Sequence, residues 1–359
     1  KSINKMSDFL YSSEQRSPGS MTAIVSRICP EQQKPVTEFH GSWGSLAVKS
    51  NHYNGFDAAE TDTYICAVVG GPILTFCDNH FLAGAASSAG TLQILSRWKT
   101  NEKISWDEDL SGPFAIILIN KISGEIEVVT DLMSFIPLFI TKNKDVLHIG
   151  SHPDIVAEIS QLTNHVDVVS VADFVLNGFV TYPFTFYKDI EQLPPASTTK
   201  FESINIKNLS SKHYWTPTET YLYDNIKDAS LYLRNGLTKY IEQVTTAMSH
   251  VALFISGGED SRAVLAMTPE HLKRDAYVFL DGYNAEAKVA KKIADIYGAS
   301  FHYCERTPTH YLDNLAPCSR LTGSGAQFHH VHSYGFHKSC GLETYPAVLG
   351  GFSSDALLK

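Results

Sequence analysis

The chain has 359 residues, 43% hydrophobic against 19% charged, and a formal net charge of −9, enough length for two domains with separate cores. The acidic balance, with no basic run against it, argues against a nucleic-acid surface, so no nucleic-acid partner is expected. No apolar stretch reaches membrane-spanning length, and residues 1–20 lack the apolar core of a signal peptide, which gives the expectation of a cytoplasmic protein without a membrane partner.

Residues 1–20 are polar and rich in Ser and Lys and read as a mobile leader. Strand-like runs follow at 21–28, 43–48, 64–69, 114–119, 126–130, 138–141 and 146–149, with one helical pattern at 91–98 among them. Many short strands with turn signals and few helices predict stacked antiparallel sheets. A helical pattern resumes at 168–177, and the turn Leu193-Pro194-Pro195 leads to a closing strand. The polar residues 206–222 read as the connection to a second domain. Six cysteines, Cys29, Cys66, Cys77, Cys304, Cys318 and Cys340, are scattered without a CxxC pair and are expected to be free thiols, several of them buried.

In the second half, Ile226, Ala229, Leu233, Leu237, Ile241 and Val244 step by three or four and predict an amphipathic helix over 225–247. Residues 251–255 form a short apolar run that breaks into Ser256-Gly257-Gly258 before a polar turn and an Ala/Val/Leu-rich helix. A strand at 276–280, a helix at 284–297 capped by Asn284 and stopped by Gly298, and a strand at 300–304 continue the alternation. That pattern predicts a parallel sheet with helices on its faces, and ligands of such sheets lie at the carboxyl ends of the strands.

The stretch after residue 255 carries the chemistry. Gly257 and Gly258 let the backbone turn so that its N–H groups point at an anion, and the next helix adds its positive end. Ser256 and Ser261 add hydroxyl donors, and Asp260 offers a carboxylate where a hydrated magnesium could bridge protein and phosphate oxygens. A Gly-Gly pair alone is an ordinary turn with a capping Asp. The full string Ser-Gly-Gly-x-Asp-Ser after an apolar strand is more specific, and it resembles the pyrophosphatase loop of N-type ATP pyrophosphatases. No Gly-Lys-Ser/Thr follows, so it is not a Walker loop.

The first half resembles a known family as well. Leu110-Ser111-Gly112-Pro113-Phe114-Ala115, Asp131 through Pro137-Leu138-Phe139, Gly150-Ser151, Phe186 through Pro194-Pro195 and His213-Tyr214-Trp215 follow the order of motifs in the glutaminase-type domain of the asparagine synthetase B family. With the loop at Ser256 the match runs roughly from residue 21 to the last. It implies an α+β αββα sandwich of the N-terminal-nucleophile hydrolase type over 21–205, a linker at 206–222, and an α/β parallel-sheet domain of the adenine-nucleotide α-hydrolase type over 223–359 that this chain does not complete.

The departures bear on the activity. Glutamine-hydrolysing members begin their first strand with a free N-terminal Cys, whose amine can activate the thiol. Here no Cys precedes residue 21, and Cys29 has no free amine. Where the family has an Asn-Gly-Glu turn the chain reads Gly70-Gly71-Pro72, residues 85–91 lack the acid that would hold the glutamine amine, and Ser134 replaces a family Gly. We expect a glutaminase fold that no longer hydrolyses glutamine.

Residues 347–359 resemble the family's second nucleotide loop, with Gly350, Ser353 and Ala356 as departures. Asp355 falls on the family's second magnesium carboxylate, the alternative being a helix cap. By the same resemblance Ile255, Leu280, Gly350 and Gly351 would frame the adenosine. Glu286 stands where the family is often acidic, or simply favours the start of its helix. His329, His330, His332 and His337, close to Cys340, fit no common metal spacing and read better as lining an acceptor pocket.

The resemblance therefore implies ATP and Mg2+, with Asp260 and Ser261 catalytic, Ile255, Ser256, Gly257, Gly258, Asp260, Ser261, Leu280, Gly350 and Gly351 on the nucleotide, and Asp260 with Asp355 on the metal. The expected reaction is AMP-forming amide synthesis from a small-molecule carboxylate and an amine or peptide, as in β-lactam synthetases and lasso-peptide cyclases. Asparagine synthesis from ammonia and a non-catalytic nucleotide-binding relative stand as alternatives, a thiolating or tRNA-modifying enzyme is weaker, and a homodimer is left open.

Overall fold

The computed structural model describes residues 8–27, 35–51, 53–84, 87–99, 104–143, 145–203, 205–218, 222–324 and 331–351. The chain divides into two compact units, residues 5–217 with 319–327, and residues 218–318 with 328–359.

The first unit runs β1 (Phe9–Ser12), α1 (Ser20–Val25), β2 (Val36–Gly41), β3 (Gly44–Lys49), β4 (Ala59–Glu60), β5 (Tyr64–Gly70), β6 (Ile73–Leu74), α2 (Ala89–Lys99), β7 (Leu110–Ser111), β8 (Phe114–Asn120), β9 (Glu125–Thr130), β10 (Phe139–Asn143), β11 (Val146–Gly150), α3 (Pro153–Ile159), α4 (Val168–Asn177), β12 (Glu191–Gln192), β13 (Ser197–Glu202) and β14 (Asn205–His213). Two antiparallel sheets result, ordered β12-β10-β11-β1-β3-β2 and β14-β13-β9-β8-β5-β4. Their side chains sort into three layers, because successive residues of a strand point to opposite faces. Phe9, Tyr11, Leu46, Val48, Leu147 and Ile149 of the first sheet meet Ile65, Ala67, Val69, Ile117, Ile119 and Val128 of the second in one core. Leu10 and Ala47, on the other face of the first sheet, pack with Met21, Val25, Ile155, Val156 and Ile159 of α1 and α3. Val68, Ile116 and Leu118, on the far face of the second, pack with Ile94 and Leu95 of α2. This is the expected αββα layering.

Three sequence expectations need correction. The leader over 1–20 contains β1, whose four residues are all buried between β3 and β11. A central strand covered on both faces needs no alternation, and three consecutive apolar residues in a polar setting hid it. Residues 21–25 of the run at 21–28 belong to helix α1 rather than a strand: Met21 and Val25, one turn apart, bury together against the first sheet, and that burial overrides the β-branched composition. The polar connection at 206–222 begins as β14, paired with β13 in a hairpin from Ser197↔His213 to Glu202↔Asn205. An edge strand is open on one side, so it tolerates the polar residues that suggested a linker.

Asp131 anchors the turn after β9. Its carboxylate, 1% exposed, accepts from the backbone N–H groups of Met133, Phe135, Ile136 and Phe114 at 3.0–3.2 Å. Burial pushes its carboxyl above the usual range, against the pull of those four donors. Within this turn Ser134 has φ +50°, so the position held by Gly in the family does require left-handed backbone. Tyr214, half-buried, closes the same corner, its hydroxyl donating to the Thr130 carbonyl at 2.6 Å.

The second unit runs α5 (Ile226–Thr245), β15 (His250–Phe254), α6 (Glu259–Met267), β16 (Lys273–Leu280), α7 (Ala285–Ile296), β17 (Ser300–Glu305), α8 (His310–Thr322, of which residues 310–318 fall in this unit), α9 (Phe336–Ser339) and β18 (Val348–Leu349). The four strands form a parallel sheet ordered β17-β16-β15-β18. Both faces are covered, as parallel sheets require. Val251, Leu253, Ala276 and Val278 pack on one side with Leu265 of α6 and Ala287, Ala290, Ile293 and Ala294 of α7. Ala252, Phe254, Tyr277, Phe279 and Cys304 pack on the other with Cys340, Leu342 and Tyr345. The helix at 284–297 has the predicted ends: the Asn284 side chain accepts from Ala287 N at 3.2 Å, and Gly298 takes φ +66°. Among the described residues no helix is long and apolar enough to cross a membrane.

Candidate active site at the strand ends of the second unit

The loop 255–258 leaves the carboxyl end of β15, one of the two middle strands, with β16 on one side and β18 on the other. Ile255 and Leu280 are buried there, at 5% and 7% exposure. The loop is tied to the first turn of α6 by hydroxyls. The Ser261 Oγ accepts from Ser256 N at 3.0 Å and lies 3.0 Å from Ser256 Oγ, which in turn accepts from Gly258 N at 3.1 Å. Glu286, in the first turn of α7, accepts from Gly257 N at 3.4 Å.

Neither Gly257 nor Gly258 has a positive φ, so the turn they make uses backbone that other residues can also adopt. Their value is space. A Cβ on Gly258 would come within 3.2 Å of Ser256 Oγ, and the bare backbone leaves room above the N-terminus of α6.

The second loop arrives beside the first. β18 pairs in parallel with β15 through Ala252↔Val348 and Leu253↔Leu349, and Gly350 and Gly351 follow. A Cβ on Gly351 would stand 2.8 Å from Ser261 N and 2.9 Å from the Asp260 carbonyl carbon, so this glycine is needed for close approach to the start of α6. Ile255, Ser256, Gly257, Gly258, Asp260, Ser261, Leu280, Gly350 and Gly351 are thus brought to one set of strand ends. Asp355, Ser353 and Ala356 lie outside the described residues, as do Cys29, His329 and His330.

Further side chains belong to this rim. Arg306 follows β17, donates from Nε to Asp281 at 2.6 Å and from Nη1 to the Phe279 carbonyl at 2.8 Å, and lies over the Tyr311 ring. The hydrogen bond to Asp281 holds the guanidinium pKa up and the Asp281 carboxyl down. Sequence reading missed Arg306 and Asp281, although both stand directly after strands, as Ile255 does. His332 pairs with the Tyr311 hydroxyl through Nδ1 at 2.6 Å and His337 is buried. Among the described residues no group of three His, Cys, Asp or Glu could hold a metal ion.

The donor set can be tested against a nucleotide. Hydroxyls, a helix N-terminus and small residues suit phosphate oxygens. Glu259 and Asp260 both lie in the first turn of α6 and would repel a bare phosphate, so a phosphate bound there would need a divalent cation between them. The residues present fit both groups.

A family model described as a glutamine amidotransferase domain matches residues 91–215, from α2 to the end of the second sheet's edge strand. Asparagine synthetase [glutamine-hydrolyzing] 3 of Bacillus subtilis (strain 168) is 23% identical over 242 residues, which cover 59% of this chain and 38% of that protein. Over those stretches the chain is similar to a glutamine amidotransferase domain and to an asparagine synthetase. The match spans well under half the length of that synthetase. Two solved structures are similar at a lower level. One is a glutamine phosphoribosylpyrophosphate amidotransferase from B. subtilis complexed with ADP and GMP, with TM-score 0.36, 11% identity and coverage of 82% of this chain and 65% of that one. The other is an allosteric regulatory enzyme of purine biosynthesis, with TM-score 0.31, 10% identity and coverage of 96% and 83%. Likeness at that level decides nothing about this chain, and its fold rests on the sheet orders and layers above.

Proposed function

We propose that this chain is an ATP-dependent, AMP-forming carboxylate–amine ligase of the cytoplasm whose amidotransferase unit does not hydrolyse glutamine. The observation that carries the reading is the seat of Gly351 on the Asp260–Ser261 turn, which brings two nucleotide-type loops together at the carboxyl ends of neighbouring parallel strands. Ser256, Ser261 and the amino end of α6 would hold the pyrophosphate, Ile255 and Leu280 would border the adenosine, and Asp260, with Asp355, would hold magnesium. The cation supplies charge neutralisation where negative charge develops on the phosphates. The substrate carboxylate attacks the α-phosphorus, pyrophosphate leaves, and an amine then displaces AMP.

For the amidotransferase unit, the turn after β5 supports an inactive site. The Gly70 carbonyl already accepts from Asn51 Nδ2 at 2.8 Å, and a Cβ on Gly71 would meet the Tyr53 ring at 2.2 Å, so this turn is occupied by the chain's own side chains. A second reading, nucleotide binding without turnover, is favoured by Glu286, whose carboxylate takes the Gly257 N–H that an anion would use.

The test is pyrophosphate release from ATP by the full-length gene product with a panel of carboxylates, adding amines, ammonium and glutamine in turn. Release stimulated by one acid and indifferent to glutamine is the expected result. Magnesium–ATP binding without release under any condition would replace the ligase by the binding reading. Asp260→Ala should abolish magnesium–ATP binding, and an unchanged Kd would sink both.

A further inference from the structure

On the face of the parallel sheet away from α7, two thiols come together that are 36 positions apart in the chain. Cys304, next to last in β17, and Cys340, which follows α9, have their Sγ atoms 3.3 Å apart. That is closer than two sulfurs sit by van der Waals contact alone and about 1.3 Å from bonding distance. The segment bearing Cys340 is held in place: the Tyr277 hydroxyl donates to the Cys340 carbonyl at 3.3 Å, Tyr277 and Tyr345 share a hydroxyl contact at 2.9 Å, and Phe336 packs on Phe279 with ring centroids 4.9 Å apart. Both cysteines are only half-buried, so a small oxidant can reach them.

We propose that Cys304 and Cys340 are a reversible redox modification site, closing to a disulfide on reaction with a peroxide. Burial and the neighbouring Cys340 hold the Cys304 thiol up, at about 12, so it keeps its proton and Cys340 reacts first. The Cys340 sulfur attacks a peroxide oxygen, an S–O bond forms as the O–O bond breaks, and the sulfenic acid and one water result. The Cys304 sulfur then attacks the Cys340 sulfur, the S–S bond forms as the S–O bond breaks, and the leaving hydroxide takes the Cys304 proton as a second water. Two thiols lose two electrons and the peroxide gains them.

The bond would fix β17, and with it Arg306 two residues on, to the segment that follows α9. Its formation does not depend on the nucleotide reading. The test is peptide mapping of the full chain after reduction, treatment with hydrogen peroxide and alkylation of the remaining thiols. The expected result is loss of alkylation at Cys304 and Cys340 together, a linked peptide pair lighter by two hydrogens, and recovery of both thiols with a reductant. In Cys304→Ser the Cys340 sulfenic acid should persist and react with dimedone, and in Cys340→Ser Cys304 should stay alkylatable under the same peroxide. Full alkylation of both positions after peroxide, or linkage of Cys340 to a different cysteine, would overturn the proposal.

Discussion

The two units handle buried polar groups in opposite ways. In the first, Asp131 is enclosed by four backbone donors and Ser151 donates to the buried Asp8 carboxylate at 2.7 Å, so the polar atoms are spent on holding turns and strands. In the second, Ser256, Ser261 and Glu286 make contacts of 3.0–3.4 Å around a half-open loop that can exchange partners. Closed networks fix structure, because breaking one leaves a desolvated group behind, while open ones can be re-satisfied by a ligand or water.

The contrast can be broken by substitution. Asp131→Ala strands four backbone donors and should cost about 4 kcal/mol in urea unfolding, whereas Asp260→Ala should move stability by no more than about 0.5 kcal/mol. Equal costs would erase the distinction.

Next in size is a pH effect. Burial, with Arg16 adding repulsion, lowers the His148 pKa from 6.5 to about 4. Between those values the unfolded chain binds a proton that the folded one does not, so stability is full above pH 6.5 and falls by ~3 kcal/mol as pH drops to 4. Urea midpoints taken across that range should show the fall, and His148→Leu should flatten it.

Ser134 sharpens the picture from the other side. Its hydroxyl is buried without a hydrogen-bond partner and its backbone is left-handed. Ser134→Gly should therefore stabilise the first unit by about 1–2 kcal/mol, read as a rise in the urea midpoint. In the second unit, Gly351→Ala should weaken magnesium–ATP binding about tenfold by calorimetry, roughly 1.4 kcal/mol, by pushing the second loop off α6. Unaltered affinity would mean that the two loops act independently.

What the sequence disclosed follows the same division. The strands at 64–70, 114–120 and 125–130 and the helix capped by Asn284 were legible because periodicity and end signals act locally. So was the place of the loop at Ser256, between a strand and a helix. β1, α1 and β14 were not, because tertiary position decides them: a central strand, a helix covering a sheet and a polar edge. Arg306 and the Cys304–Cys340 approach were invisible for a related reason, as neither has a spacing signal and both arise from strand order.

The place of β1 has a consequence for synthesis. It pairs with Ser45–Val48 on one side and His148–Gly150 on the other, so a strand made well before β11 is the seam of a sheet whose other half is translated later. At about 5–20 residues per second, roughly 7–27 seconds pass before β11 can emerge. Throughout that wait Phe9, Leu10 and Tyr11 lack half their partners, so the nascent first unit carries an apolar strand that nothing yet covers on one edge.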